Sequence, residues 1–203
     1  MKSRFRNVML STLSLLVLSA FVNITTPVAC ASSIIRWDIV NLTVVNGTPT
    51  LTAGGHATAI AQDGSKITFT GKGAFLVPAL VGSTLVVGGG TWKTYSPTGA
   101  LTGQGTYKVT KFISFVQASG FLPAAVDDEI AEKDDAHSGL AYLRITYSDG
   151  SRGELVVSCN LPGGPHANIF EGVTASKGFV AYWNRTDPIP GVNGNRTSFH
   201  AIP

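Results

Sequence analysis

A histidine at position 56 is the residue that most directly suggests chemistry in this sequence. Imidazole titrates near neutral pH, so a histidine in a cavity wall is suited to proton transfer or to orienting a ligand. A two-residue turn at Asp63-Gly64 would set His56 opposite Gly71, on the inner face of a predicted sheet. We therefore expect His56 to line an interior cavity. The alternative is a histidine at a strand end that is hydrogen-bonded to a backbone carbonyl.

A second candidate set consists of Cys159, His166 and Glu171, which lie within thirteen residues of one another. A cysteine paired with a histidine and a carboxylate is the arrangement of a nucleophilic catalyst. These residues, with His56, are the candidate catalytic residues. The alternative for Cys159 is a small buried apolar side chain, because the strand pattern places it on an inner face opposite Ala141.

Aromatic side chains offer a non-catalytic role. Together at one end of the fold, they would form a surface that stacks on a glycan or holds a small apolar or aromatic ligand. Dispersed, they would be ordinary core residues. The candidate ligand-binding residues are His56, Phe75, Trp92, Tyr107 and Trp183.

An acidic segment at 127–135 holds six carboxylates in nine residues. It lacks the alternating Asp/Asn spacing and the central glycine of a calcium loop, so we expect no metal there and no cofactor. Val126 and Ile130, spaced four residues apart after Pro123, allow one short helix. The sequence predicts a solvated acidic helix or loop over one end of the domain.

A glycine-aromatic motif recurs as "GKGAF", "GGGTW" and "GQGTY" at 71–75, 88–92 and 103–107. In the first and third copies the second glycine and the ring are two residues apart, so they share the apolar face of a strand. Glycine permits the bend or bulge of a curved strand, and a ring fills the space that it leaves. The motif therefore indicates tightly curved β-strands.

Short alternating apolar runs separated by Gly, Pro, Asn and Asp indicate an all-β domain. Two hairpins can be placed, one turning at Asp63-Gly64 with Ile60 opposite Ile67. The other has a three-residue loop near Ser148-Asp149-Gly150 and Ile145 opposite Leu155. We predict strands at 34–45, 55–61, 66–75, 84–88, 91–95, 105–116, 140–147, 153–159, 168–182 and 197–202.

Residues 1–31 have the layout of a secretory signal peptide. Lys2, Arg4 and Arg6 precede an uncharged apolar run at 8–22, and Ala29-Cys30-Ala31 is a small-residue cleavage site. We expect a secreted protein without stable membrane insertion after cleavage. The alternative is a lipid anchor at Cys30, because Pro27-Val28-Ala29-Cys30 resembles a bacterial lipobox.

The charge balance argues against nucleic acid as a partner. Three of the 15 basic residues lie in the signal peptide, so 12 remain beside 12 acidic residues, without a basic cluster. Only Cys159 follows the cleavage site, so the fold cannot depend on an internal disulfide.

The sequence thus predicts one β domain at 32–203, a mainly antiparallel β-barrel or closely related β-sandwich with the acidic helix or loop at one end. Barrels of this size fill their interior or hold one small ligand. The leading functional hypothesis is non-catalytic binding of a small apolar or aromatic ligand, or a glycan. One alternative is a small secreted cyclase, isomerase or hydrolase that uses an interior histidine with a carboxylate. The other is a surface or matrix structural protein.

Overall fold

The computed structural model describes residues 32–164, 169–188 and 194–202. Within these ranges the chain is all-β, as the alternating pattern predicts, and fourteen strands join one sheet in which every pairing except β2–β8 is antiparallel. The strands are β1 (Ser33–Val45), β2 (Thr48–Ala53), β3 (Ala57–Ile60), β4 (Lys66–Phe69), β5 (Lys72–Val77), β6 (Val86–Tyr95), β7 (Leu101–Ala118), β8 (Asp127–Asp128), β9 (Ala136–Tyr147), β10 (Arg152–Cys159), β11 (Gly172–Lys177), β12 (Val180–Tyr182), β13 (Asn184–Arg185) and β14 (Arg196–Ile202).

Six of these strands pair in a closed cycle. The order is β1, β5, β6, β7, β9 and β14, and β14 returns to β1. Three branches leave this ring of strands: β4, β3 and β13 extend from β6, β10 to β12 extend from β9, and β2 with β8 extends from β1. One cluster of buried side chains draws on every ring strand, including Trp37, Phe75, Trp92, Phe112, Leu143 and Phe199.

The glycine-aromatic motif places rings against glycines of neighbouring strands. Trp92 of the second copy covers Gly103 of the third, where an added Cβ would lie 3.1 Å from the indole ring. Tyr107 of the third copy donates from its hydroxyl to Thr70 O beside Gly71 of the first. The inward placement of Gly73 is also explained, since the ring of Trp37 on β1 takes the space above it. Glycine and ring thus fit together across strands.

The first hairpin differs from its predicted register by one residue. Its loop has three residues, Gln62 to Gly64, because the Ala61 N–H donates to Ser65 O and Gly64 adopts a φ of 84°. Ala59 therefore lies opposite Ile67, where Ile60 was expected. A one-residue slip moves every side chain of a strand to the other face. The prediction that His56 faces inward is consequently wrong: His56 is exposed, and Ala57 is buried in its place.

The second hairpin has a loop of the predicted length, but its three residues are Ser148 to Gly150 rather than Asp149 to Ser151, so its register differs from the expected one by two residues. Ile145 lies opposite Gly153, and Leu143 lies opposite Leu155. Because a two-residue shift keeps the faces unchanged, Leu143, Ile145 and Leu155 are buried as expected.

Other elements depart from the prediction at irregularities. On β7, register shifts after Val109 and Phe112 change the face, so Phe112 points to the core rather than Ile113. One strand, β6, replaces the two expected at 84–88 and 91–95. The short strands β2, β8 and β13 were not expected.

The acidic segment is a loop rather than an α-helix. It contains β8, which pairs in parallel with β2, and a 3₁₀ turn at Lys133–Asp135. Val126 and Ile130 pack with Leu42, Leu51 and Val40 in a second, smaller apolar cluster. The loop therefore covers the outer side of β1 and β2.

Candidate functional site

A cavity of about 190 Å³ lies between the loop after β7, strands β1 and β2, and the ends of β10 and β14. We call it the Glu171 cavity after its buried carboxyl. One wall is apolar and is formed by Val40, Leu42, Leu51, Leu122 and Val126. The polar part of the lining, called the polar wall below, contains Asn160, Glu171, Arg196 and Ser198, and Arg196 lies beside Val40 in the pairing of β14 with β1.

Glu171 is held at the cavity by two backbone groups. The Asn160 N–H donates to Oε2 at 2.8 Å, and the Thr197 N–H donates to Oε1 at 2.6 Å. The carboxyl group thereby connects the end of β10 to β14, and β11 begins at the next residue. Burial raises the pKa of Glu171 to about 7, even though these hydrogen bonds and the charge of Arg196 favour the ionised form.

Three polar atoms of the same wall are buried without a hydrogen-bond partner among the described residues. They are Asn160 Oδ1, Arg196 Nε and Ser198 Oγ. A buried polar group without a partner costs about 1–3 kcal/mol, so native proteins rarely leave several together. Their convergence on one cavity that is apolar on its other side is the pattern of a site for a small molecule with a polar head.

A buried polar cluster lies beside the cavity on the same face of β1 and β14. The side chain of Arg36 binds Asp38 and donates to Ile130 O, and His200 Nε2 lies 2.8 Å from Asp128 Oδ2. Burial by itself would raise the pKa of Asp128. Hydrogen bonds from His200 and the Ile130 N–H outweigh this effect, so the pKa is lowered. These contacts fasten the acidic loop to the sheet.

Of the predicted nucleophilic set, the structure describes Cys159 and Glu171, which are close enough for the charge of Glu171 to act on the Cys159 thiol. Cys159 is completely buried in the main core, and burial raises the pKa of its thiol well above the usual range. Its interpretation as a buried apolar side chain agrees with this position, although it lies opposite Gly139 rather than Ala141. His166 lies outside the described residues. Glu171 alone of the set lines the cavity.

The predicted ligand-binding residues do not form one surface. Phe75, Trp92 and Tyr107 are buried in the main core, where Phe75 packs against the rings of Phe112 and Phe115. Trp183 is 47% exposed, and His56 is also at the surface. The expectation of a shared aromatic surface is therefore wrong, and the rings in the core serve packing.

Asn160, Arg196 and Ser198 were missed by sequence reasoning. Their signal was the alternation Arg196, Ser198, His200 against Thr197 and Phe199 on β14, which normally indicates a solvated face. In the structure this polar face is covered by the acidic loop, and Ser198 and His200 are buried. Only the position of the acidic loop shows that the polar face of β14 belongs to a candidate binding site rather than to a solvated surface.

A larger cavity, about 580 Å³, opens at one end of the ring of strands. Its walls are mainly apolar and include Ile35, Val77, Phe112 and Phe115, with Ser33 and Gln117 as polar members. It contains no charged side chain. The Glu171 cavity is therefore the better candidate for specific recognition.

Comparison with known proteins adds no relative. No model of a protein family matches the chain, and no curated protein or solved structure is significantly similar to it. A search of the described residues for a helix long and apolar enough to cross a membrane finds none. Nor do the described residues contain a group of three or more His, Cys, Asp or Glu side chains placed to hold a metal ion.

Proposed function

We propose that this protein binds a small, mainly apolar molecule with one polar head in the Glu171 cavity, without catalysing a reaction. The observation that carries the proposal is the set of buried polar atoms without hydrogen-bond partners among the described residues, in a cavity that Leu42, Leu51 and Leu122 also line. A head group that both donates and accepts hydrogen bonds would satisfy them, and the apolar wall would hold the rest of the ligand.

The size of the cavity limits the ligand to about one ring. A cavity of about 150 Å³ lined by apolar side chains accommodates benzene, and the Glu171 cavity measures about 190 Å³. This supports a small aromatic or branched aliphatic ligand and disfavours a glycan. Trp183 is exposed, but Phe75, Trp92 and Tyr107 are buried, so these candidate rings offer no shared surface for sugar stacking.

The test uses phenol and benzene as probes and measures the melting temperature of the protein. At a hundredfold excess over the dissociation constant, a ligand stabilises the folded state by about 2.7 kcal/mol. For a domain of this size that corresponds to a rise of about 5–10 °C. Leu42→Phe enlarges a side chain of the cavity wall and should abolish the rise.

The matched control is Val44→Phe, two residues further along β1 at a position that is 71% exposed. It should keep the full rise, and near-ultraviolet circular dichroism should show that both variants fold. The proposal fails if neither probe raises the melting temperature of the wild type. It also fails if Leu42→Phe responds as strongly as the wild type.

The enzyme hypothesis has one supporting observation, the pair of His200 and Asp128. A catalytic pair needs access to substrate, and His200 lines neither of the two cavities described above. Binding without catalysis is therefore the function that we propose.

We also propose that the ring of six strands is a closed β-barrel. The support is its cyclic pairing, in which β14 joins β1 to β9. Closure would remove the free edges of these strands, which otherwise invite aggregation. An experimental structure in which β9 and β14 are not paired would contradict it.

A further inference from the structure

We infer that the head group recognised in the Glu171 cavity is a carboxylate, so that the ligands are small aromatic or branched aliphatic monocarboxylic acids. This inference rests on the proposed binding function. Its basis is the juxtaposition of Arg196 Nε and Ser198 Oγ, both buried and without hydrogen-bond partners among the described residues, on two residues of β14 that line a largely apolar cavity.

Arg196 supplies the main argument. Its guanidinium group is always charged, and its Nε lies buried at the cavity. Among the described residues, no Asp or Glu forms an ion pair with it. Although Arg196 as a whole is only partly buried, its Nε is cut off from water without an acceptor among the described residues, and an anionic ligand would supply that acceptor. A carboxylate can accept from Nε–H and from the Ser198 hydroxyl at once.

Glu171 does not fill this role. Both of its oxygens already accept hydrogen bonds, from the Asn160 and Thr197 N–H groups. Because burial raises its pKa to about 7, its neutral form predominates in mildly acidic solution. Under those conditions the polar wall carries the positive charge of Arg196 alone.

The remaining lining residues restrict the ligand further. Those contributed by β1, β2, β9 and the loop at 122–126 are uncharged, so Arg196 is the one cation among the described residues that line the cavity. The titratable neighbours of Glu171 are Arg196 and Cys159, whose thiol burial keeps protonated. A second carboxylate on the ligand would have no partner. Asn160 can turn its amide by 180° and donate to the bound carboxylate.

This arrangement makes the binding of a carboxylate depend on the protonation of Glu171. Below about pH 7 the neutral Glu171 leaves the site positive, and a carboxylate binds well. As the pH rises above 7, Glu171 ionises beside the ligand, and the affinity should fall by about tenfold per pH unit. A neutral ligand of the same shape should show no such fall.

The experiment measures dissociation constants of benzoate and of its neutral isostere benzamide by calorimetry, with the full chain at pH 6 and pH 8. Benzoate should bind up to about tenfold more tightly at pH 6 than at pH 8, which is the limit for one group with a pKa near 7, whereas benzamide should change little. At pH 7, two buffers of different ionisation enthalpy should reveal proton uptake with benzoate only.

Two variants test whether Arg196 causes the preference for benzoate and whether Glu171 causes its pH dependence. Arg196→Gln should weaken benzoate binding by about 10- to 100-fold and alter benzamide binding by less than about threefold. Glu171→Gln should bind benzoate with an affinity that no longer depends on pH. The matched control, Arg152→Gln, removes an exposed arginine of β10 and should behave as the wild type.

The outcomes separate this inference from the function on which it rests. If phenol or benzamide binds in the cavity but benzoate does not, or if benzoate binds equally to Arg196→Gln, the carboxylate assignment is wrong and the binding function stands. Equal affinity for benzoate at pH 6 and pH 8 also overturns it. If no probe binds at all, both proposals fail.

Discussion

Glu171 shows how a single buried carboxyl group can serve both the fold and the site. It accepts hydrogen bonds from two backbone N–H groups that belong to different parts of the sheet, at Asn160 and Thr197. In the same position it faces a cavity, and burial holds its pKa near 7. The free energy of unfolding should therefore depend on pH through this one residue.

The first prediction concerns this dependence. The pKa of Glu171 is raised from its ordinary value of 4.5 to about 7 on folding, so the folded state binds more protons than the unfolded state between these values. The contribution of Glu171 to stability is then present at acidic pH and is lost as the pH rises from about 4.5 to about 7, by on the order of 3 kcal/mol.

Urea denaturation of the wild type and of Glu171→Gln from pH 4.5 to pH 8 measures this effect. The stability advantage of the wild type should be largest at the acidic end and should shrink by that amount. His137, whose pKa burial lowers, has the opposite pH dependence but is present in both proteins, so it cancels in the difference. Glu129→Gln, at an exposed carboxylate, is the matched control. A difference that does not vary with pH would contradict the assignment.

Strands β1, β5 and β6 meet at a place where glycine is required for close approach. A Cβ at Gly73 would lie 2.7 Å from Trp37 Nε1 and closer still to Val87 O, and a Cβ at Gly88 would lie 3.0 Å from the same ring. Trp37 itself is completely buried. The indole ring and the two glycines therefore form one packing unit that spans three strands.

The second prediction tests this packing unit. Gly73→Ala should lower the free energy of unfolding by about 3 kcal/mol, because backbone and indole must both move to admit one methyl group. Lys72→Ala, at the exposed neighbouring position, should change it by less than about 0.5 kcal/mol. Chemical denaturation measures both values. A Gly73→Ala variant as stable as the control would show that β5 and β6 do not approach so closely.

The strand elements also show what the sequence can and cannot predict. The inward faces of Ile67 and Phe69 follow from alternation alone and are confirmed. The position of His56 depended on turn length, and Asp-Gly occurs in both two-residue and three-residue loops. Here the Asp63 side chain accepts from the Ser65 N–H and hydroxyl, and a three-residue loop forms. Because the loop is one residue longer than predicted, the side chains next to it on β3 point to the opposite faces from those expected.

The candidate site was harder to predict because its walls come from distant parts of the chain. Glu171 was selected from the sequence, but as part of a nucleophilic set whose Cys159 is completely buried in the main core. Arg196 and Ser198 have the spacing of a solvated strand face, and nothing local indicates that the loop at 122–126 covers it. Alternation reports which side of a strand is polar, whereas long-range packing decides whether that side meets water.

At the scale of the whole molecule, we propose that residues 1–31 are removed during secretion and that the mature domain acts outside the cell. The support is the sequence pattern of a charged start, an apolar run and the small residues Ala29-Cys30-Ala31. The alternative is that Cys30 becomes the lipid-modified first residue of an anchored protein.

The third prediction distinguishes these two fates. Mass spectrometry of the exported protein should find a chain that begins at Ser32, without a lipid mass. Cys30→Ser should leave export and the mature mass unchanged, whereas a lipid anchor would be lost in this variant. A mature chain that begins at a modified Cys30, or an exported protein that retains residues 1–31, would contradict the proposal.

The ring of strands has a consequence for the order of events during synthesis. Residues 196–202 form β14, which pairs with both β1 and β9 and so supplies the connection between them. Until these residues emerge from the ribosome, the cycle cannot close, and β1 and β9 each lack a neighbour. The ring therefore cannot be completed during synthesis before its last strand has been made, whatever the order in which the other five strands pair.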